Sequence, residues 1–512
     1  MFVFYKLELP YALELEQNVL DRFIETEQEI AVYDEKFRMV TESIHRDGGH
    51  VLPDLGDLGP VVHRARELLA RVFSGFDYRE IVPRNGPGVV STGETLWEKF
   101  RFGRINDRIQ ASYPFDEYFS SCLGQVCDEY RLYESIPVVE PFARVILVPK
   151  DSRGPRLISA EPLEFQWIQQ GVGRAIVEQV ERNPLTRYNV HFTDQQPNQF
   201  GALLGSSSGR YATLDLKDAS DRVTVGLVRL LFPKHISDVL ENCRTLATVL
   251  PNGRILKLRK YAPMGSALCF PTLALTIWAI LSGGTSCANT RDGILVYGDD
   301  VIVPTAYAEN AIQLLESFGL KVNHDKSCCH GFFRESCGVD AFNGTNVTPV
   351  RIKTGWSQRP SAGVYESWVA VANLMHSRGW YSTADLISRL VCSLYRNAPS
   401  QDLGLTTSDT DLYACPLDYR QPKSRVNPFL QRKEYLVLTV VDRPIKDRHS
   451  GWHNLLRYYT EGDRATRVER TFDPCRSWTE EALHICLNVQ SSLQTSLYTQ
   501  RDTSHLVLRW RG

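Results

Sequence analysis

Two adjacent aspartates, Asp299 and Asp300, stand between β-branched runs in the stretch GILVYGDDVIVP, residues 293–304. Carboxylates set among apolar strands are costly unless a partner or a cation binds them. Residues 294–297 and 301–303 are strand-like and are joined by Gly298-Asp299-Asp300, which predicts a hairpin with its acids at the tip. A third carboxylate, Asp215, ends the strand-like YATLD. Carboxylates gathered in one cleft repel, and divalent cations relieve the repulsion. Two such cations roughly 4 Å apart can activate a hydroxyl and stabilise the leaving oxygen of an in-line displacement at phosphorus. Carboxylate ligands accept Mg²⁺ or Mn²⁺. The same chemistry needs basic groups for a triphosphate, and Lys150, Arg153 and Arg156 stand on an earlier strand–turn–strand. Each signal alone has a bland reading: Gly-Asp-Asp as a solvated turn, the Lys/Arg cluster as a solvated face. Their order, basic hairpin, Asp-bearing strand, apolar helix, Asp-Asp hairpin, is what points to a site.

The elements that must position these groups follow from periodicity. Residues 143–162 read as strand, turn and strand, with the turn at 150–155. Residues 164–181 read as a helix, and 270–284 as a buried helix stopped by Gly283-Gly284. After Asp215 the chain turns near 217–220, where Ser220 is placed to cap the next helix. Residues 306–318 form a helix closed by Gly319, and 320–323 a short strand. The Gly/Pro-rich residues 82–94 must be a loop. An acidic amphipathic helix is expected over 11–37, with Leu13, Val19, Leu20, Phe23, Ile24 and Ile30 near helical spacing.

Bulk properties bound the answer. A chain of 512 residues is too long for one core, so two to four subdomains are expected. Net charge is −2, but residues 8–47 carry 11 acids against four bases, and residues 420–470 carry 12 bases against six acids. Opposite ends therefore suit different partners. The basic segment interleaves Tyr419, Tyr435, Trp452, Tyr458 and Tyr459, a surface for stacking single-stranded RNA or else a charged helical face. The 12 cysteines form no CxxC pair, which argues against zinc spacing and for reduced thiols in a cytosolic setting. The longest apolar run, residues 274–281, is too short to span a bilayer, and the first ten residues do not resemble a signal peptide.

The ordered motifs resemble those of palm-type RNA-dependent RNA polymerases. VPKDSRGPRLISAEP is similar to the basic fingers motif, DLKDASD to the first palm motif, PMGSALCFP to the palm loop-helix, and YGDD to the metal-binding hairpin. LKVNHDKS is similar to the motif whose lysine protonates pyrophosphate, with Lys326 the candidate and Lys321 the runner-up. GFFRESCGVDAFNGTNVTPVR, MGSALCFP and RNGPGVVSTGE resemble replicases of positive-strand RNA bacteriophages, the levivirus group; related capsidless viruses of fungi and plants share some of these motifs. The resemblance covers about residues 83–351. It departs from many viral polymerases at Met264-Gly265-Ser266, which lacks the asparagine that usually partners the second aspartate of the first motif.

The resemblance implies an α/β right-hand polymerase with fingers, palm and thumb, the palm an antiparallel sheet backed by helices. Its implied parts are a helical region with part of the fingers at 1–135, fingers with the nucleotide-entry hairpin at 136–210, and a catalytic core at 201–332 with a fingers insertion near 222–262. A primer-grip region at 333–360 and a thumb with the C-terminal region at 361–512 follow. It implies two Mg²⁺ (or Mn²⁺) ions on Asp215, Asp299 and Asp300, and nucleotide binding by Lys150, Arg153, Arg156, Asp221, Gly265 and Ser266. Asp221 would sense the 2′-hydroxyl or cap its helix; Gly265 and Ser266 would form a flexible loop or an ordinary helix start. Tyr297 would pack beneath the hairpin, and Arg334 and Glu335 would form an ion pair or touch RNA. Implied partners are single-stranded RNA template, nascent RNA, nucleoside triphosphates and, through the acidic N-terminal helix, host elongation factors Tu and Ts and ribosomal protein S1, in the bacterial cytoplasm and without a membrane. A two-metal nuclease or phosphohydrolase could use the same acids but would not need the basic hairpin. A non-catalytic RNA-binding relic would not need the intact acids.

Overall fold

The computed structural model describes residues 6–7, 13–46, 55–95, 97–405, 408–416, 418–442, 451–461 and 504–512. Near the N-terminus the expected single helix is two: α1 (Leu13–Glu29) and α2 (Ala31–Arg46), broken at Ile30; Tyr11 lies outside the described residues. Asp34 N still donates to Ile30 O at 2.9 Å, so the break is a bend. It occurs because the halves serve different neighbours, with Ile30 fully buried at the joint. Helix α3 (Gly59–Val72) follows, then residues 82–94 as the loop that Gly and Pro dictate.

Strands β1 (Ala143–Asp151) and β2 (Gly154–Ala160) pair antiparallel, Val148 opposite Arg156 and Asp151 opposite Gly154. Helix α4 (Leu163–Arg182) and helix α5 (Gln196–Ser208) lead to β3 (Tyr211–Leu214) and β4 (Leu216–Lys217). The short helix α6 (Ala219–Arg222) is not capped by Ser220, which lies inside it. Its N-cap is Asp218, left-handed at φ +52. Helix α7 (Val225–Leu231) is capped instead by Thr224, whose hydroxyl accepts from Leu227 N. Strands β5 (Ala247–Val249) and β6 (Ile255–Lys257) extend the first hairpin into a sheet of order β2-β1-β5-β6.

Helix α8 (Cys269–Gly283) is apolar on every side and buried from Pro271 to its end. Its last carbonyls need partners: Arg64 Nε donates to Gly283 O at 2.5 Å and Tyr307 Oη to Leu281 O at 2.8 Å. Then β7 (Leu295–Tyr297) and β8 (Asp300–Pro304) form the expected hairpin, with a turn one residue tighter than expected because Asp300 belongs to the strand. They join β3 in an antiparallel sheet of order β3-β8-β7. Helix α9 (Ala308–Ser317), Gly319 at φ +84 and β9 (Lys321–Val322) follow, and β9 pairs with β4. A three-stranded sheet β10 (Phe333–Ser336), β11 (Val339–Phe342) and β12 (Thr345–Asn346) completes this part.

One apolar core unites α2, α3, α4, α8 and the β3-β8-β7 sheet. A second gathers α10 (Ala362–Ser377), α11 (Tyr381–Leu394) and Leu438. The basic C-terminal segment is only in part the helical face considered from sequence, since Trp452, Tyr458 and Tyr459 lie on a helix and Tyr435 on a strand. Its described residues form β13 (Ser424–Asn427) and β14 (Arg432–Asp442), which pair with β15 (Ser504–Arg511), and one helix, α12 (Gly451–Glu461). The ten described cysteines are unpaired, and no described helix is long and apolar enough to cross a membrane.

Candidate active site

The acids are placed by strand register. Val296, Val301, Ile302 and Val303 are fully buried, which fixes the hairpin and leaves its tip outside the core. Gly298 opens the two-residue turn at φ +64, and a Cβ there would lie 2.1 Å from the Phe270 ring. Phe270 meets Tyr297 edge-on at 5.2 Å, so Tyr297 packs at the base of the hairpin as expected. Leu214 pairs with Val301, the last pair of the β3–β8 ladder. Asp215 and Asp300 are the next residues outward on the two strands, beside the Asp299 turn.

The Asp299 side chain is open to solvent at the tip, yet the protein around the cleft raises its pKa; Asp215 adds to the rise while Lys150 and Arg156 oppose it. Asp300 is raised to about 6, first by burial, then by Asp299, with Asp215 and Glu335 adding. Ser336 Oγ donates to Asp300 Oδ1 at 3.4 Å, and buried Asn198 Nδ2 to the Asp300 carbonyl at 3.1 Å. Asp215 is held by the turn after β9. Asn323 Nδ2 donates to its Oδ2 at 2.7 Å, and Lys326 Nζ lies 3.6 Å from the same oxygen. Lys326 thus reaches the acids, whereas the runner-up Lys321 is an exposed residue of β9, opposite Lys217.

The basic hairpin faces the same cleft. Lys150 and Arg156 both act on Asp299, and Lys150 is itself lowered by burial, then by Arg156, with Lys326 a further contributor. Arg153 is engaged elsewhere: its Nε and Nη2 bracket Asp151 at 3.1 and 2.9 Å, closing its own turn and holding the Asp151 carboxyl down at about 2.

Gly265 and Ser266 form a constrained junction. Gly265 sits at φ +124, and a Cβ there would lie 2.2 Å from Ser159 O of β2. Ser159 N donates to Met264 O at 2.7 Å. Ser266 is buried, donates to Gln169 Oε1 at 3.0 Å and accepts from Leu268 N. Close backbone packing therefore holds this segment against β2, where a flexible loop or an ordinary helix start was expected. Arg334 makes neither an ion pair with Glu335 nor an exposed contact. It is 1% exposed, and its guanidinium donates to the carbonyls of Tyr211, His330, Gly331 and Phe333. Strand alternation turns Glu335 the other way, where burial first and Asp340 next raise its pKa, with Asp215 adding to the rise.

Asp221 lies on α6. The Cys269 thiol, raised to about 12 mainly by burial, is raised further by Asp221 and, to a smaller extent, Asp299. Its Oδ1 lies 3.6 Å from Lys260 Nζ. Sequence reasoning missed Lys260 and Asn323, and paired Glu335 with Arg334 or with RNA. The signal available for Asn323 and Lys326 was their shared turn; for Lys260 and Asp221, 39 positions apart, there was none.

Among the described residues, no group of three or more His, Cys, Asp or Glu side chains is gathered tightly enough to hold a metal ion as it stands. The donors nevertheless fit a hard divalent cation in type and charge: three carboxylates at one sheet end, interacting unfavourably with one another.

Comparison with known proteins agrees with the motif series. The β subunit of the RNA-directed RNA polymerase of Qbeta virus strain MX1 is 30% identical over 298 residues, 57% of this chain and 49% of that one. The corresponding subunit of Enterobacteria phage SP is 33% identical over 48% of this chain and 41% of its own. The β chain of Enterobacteria phage GA is 26% identical over 67% and 65%. The chain thus spans about half the length of the first curated relatives it matches. The family model described as RNA replicase, beta-chain, matches residues 105–503 and takes in the acidic hairpin, the basic hairpin and the junction between them, so the chain belongs to the RNA replicase beta-chain family.

Proposed function

We propose that the chain is an RNA-directed RNA polymerase that copies a single-stranded, positive-sense phage RNA genome through its complement, in the bacterial cytoplasm. The observation that carries this reading is the convergence of two hairpins on one cleft. Lys150 and Arg156 act on Asp299, and Asp215 stands beside Asp300 at the end of the β3–β8 ladder. A nuclease or phosphohydrolase needs the acids but not the cationic hairpin opposite them. Family membership supports the same reading.

Asp215, Asp299 and Asp300 are the residues that would hold two divalent ions, Mg²⁺ in the first instance. Bound there, the ions would supply positive charge at the reacting phosphate and lower the pKa of an attacking 3′-hydroxyl. Lys326, whose ammonium lies 3.6 Å from Asp215, is the group that gives a proton to departing pyrophosphate. Lys150 and Arg156 bind the triphosphate; Arg153 is paired with Asp151 instead. Asp221 reads the ribose 2′-hydroxyl. In the right-hand scheme the β3-β8-β7 sheet is the palm, residues 136–210 the fingers, 333–360 the primer grip and 361–512 the thumb. Template, nascent RNA and nucleotides are the partners, with elongation factors Tu and Ts and ribosomal protein S1 as host subunits.

The test is incorporation of labelled nucleotides on single-stranded RNA with Mg²⁺, for wild type and Asp299→Ala, as purified chain and in bacterial extract. Synthesis by wild type that vanishes in the variant is expected; synthesis only in extract adds a host partner. Equal synthesis by both would remove the role given to Asp299. Degradation of labelled RNA without nucleotides would favour the nuclease.

A further inference from the structure

The N-terminal helix grips the segment that carries Asp221. Arg22 Nε of α1 donates to Asp218 Oδ2 at 3.0 Å, at the left-handed N-cap of α6. Two turns further along α1, Glu29 pairs with Arg222 at the end of α6. Between these two contacts lies Lys260, which is wholly buried. Its Nζ lies 3.5 Å from Glu27 Oε2 of α1 and 3.6 Å from Asp221 Oδ1. It also donates to Phe23 O at 3.2 Å and sits 3.5 Å from the centroid of the Phe23 ring. The lysine backbone is fixed as well: Glu27 Oε1 accepts from the amides of Arg259 and Lys260.

A buried ammonium between two carboxylates and an aromatic face is a made arrangement, because each charge would be costly without the others. Glu27 Oε2 and Asp221 Oδ1 are both buried with no hydrogen-bond partner among the described residues, and each lies within ion-pair range of the ammonium. The Asp221 side chain keeps 21% of its surface, so the carboxylate is anchored on one side and open on the other. This supplies what the Met264-Gly265-Ser266 segment lacks, a fixed polar partner for Asp221. Ser266 cannot serve, since its hydroxyl is turned to Gln169.

We propose that Lys260 and Glu27 are positioning residues for Asp221, and that through them the N-terminal helix sets the discrimination between ribonucleotides and 2′-deoxyribonucleotides. The inference rests on the reading of Asp221 as the 2′-hydroxyl sensor. Glu27 fixes Lys260, and Lys260 fixes the rotamer of Asp221. A carboxylate displaced by about 1 Å from its productive place loses on the order of 100-fold in such a contact.

The experiment compares kcat/KM for one ribonucleoside triphosphate and its 2′-deoxy counterpart on the same RNA template, in wild type, Asp221→Asn, Lys260→Met and Glu27→Gln. A ratio of the two rates is insensitive to the fraction of folded enzyme, so a merely structural role would leave it unmoved. The expected result is a fall in selectivity of between about 10- and 100-fold in all three variants, carried by KM for the ribonucleotide, with incorporation of the deoxynucleotide little changed. Lys260→Met strands two buried carboxylates; should it fail to fold, the near-isosteric Glu27→Gln decides. Lost selectivity in Asp221→Asn with wild-type selectivity in Glu27→Gln overturns the inference and leaves Asp221 its role. Unchanged selectivity in Asp221→Asn overturns the reading of Asp221 and this inference with it.

Discussion

Replacing Gly265 by alanine tests whether the segment before α8 is a hinge or a fixed junction. The glycine stands at φ +124, a conformation that L residues adopt at a cost of about 1–3 kcal/mol. The added Cβ would sit 2.2 Å from Ser159 O, and contacts under 3.0 Å do not persist, so β2 and the loop must part by about 0.8 Å. That movement stretches the 2.7 Å hydrogen bond from Ser159 N to Met264 O to the edge of its range, costing about 1 kcal/mol more. The sum is about 2–4 kcal/mol of local stability. Hydrogen exchange read on peptides spanning 156–160 reports it, because Ser159 N is the donor. Its protection is expected to fall by about 30-fold or more in Gly265→Ala. The displaced strand also carries Arg156, so KM for nucleotides rises in the same variant. Unchanged exchange at Ser159 together with unchanged KM would refute the junction and restore the flexible loop.

The basic hairpin should divide by function. Lys150→Ala raises nucleotide KM by about tenfold or more through a lost charge-assisted contact, while Arg153→Ala changes KM by less than about twofold, since its guanidinium is spent on Asp151; equal effects in steady-state kinetics would contradict the assignment. Glu161, buried where β2 meets α4, has its pKa raised by burial from 4.5 to about 7. A raised folded-state pKa adds stability that is complete below about pH 4.5 and lost as pH rises through about 7, on the order of 3 kcal/mol. Glu161→Gln should therefore have a higher urea midpoint than wild type at pH 8.5 and a gap that narrows toward pH 5; a gap independent of pH would be inconsistent with this account.

What was legible in the sequence was what local pattern controls. The Asp299 hairpin has period-two apolar runs and a glycine at the position that demands positive φ. Helix α8 has 15 residues of apolar sequence and a glycine stop. The basic hairpin has both strands and its turn within 20 residues. The misses are matters of what a side chain meets across the fold. Ser220 has the right chemistry for a cap, but Asp218 reaches the left-handed conformation first and Thr224 caps the next helix. Arg334 beside Glu335 looks like an ion pair, yet neighbouring strand residues face opposite sides. One then gathers four carbonyls, while burial, Asp340 and Asp215 raise the pKa of the other.

The acidic N-terminal block shows why composition alone cannot assign a partner. Its acids suggested a surface for a host protein, but the fold divides them. Glu27 turns inward to Lys260, Asp34 Oδ1 accepts from Gly226 N at 2.7 Å, and Glu29 is taken by Arg222. Gly226 is needed at that contact, since a Cβ there would meet Asp34 O at 2.5 Å. Glu14, Asp21, Glu25 and Glu35 remain exposed. Each of these three acids is claimed by a group roughly 190 to 230 positions later in the chain, a separation at which no spacing rule operates. On the proposed reading, a host subunit would meet the acids left over. Neutralising them should weaken recruitment without touching nucleotide selectivity, whereas neutralising Glu27 should do the reverse. The two roles given to this acidic block, which spans α1 and α2, are thus separable by which of its acids are changed.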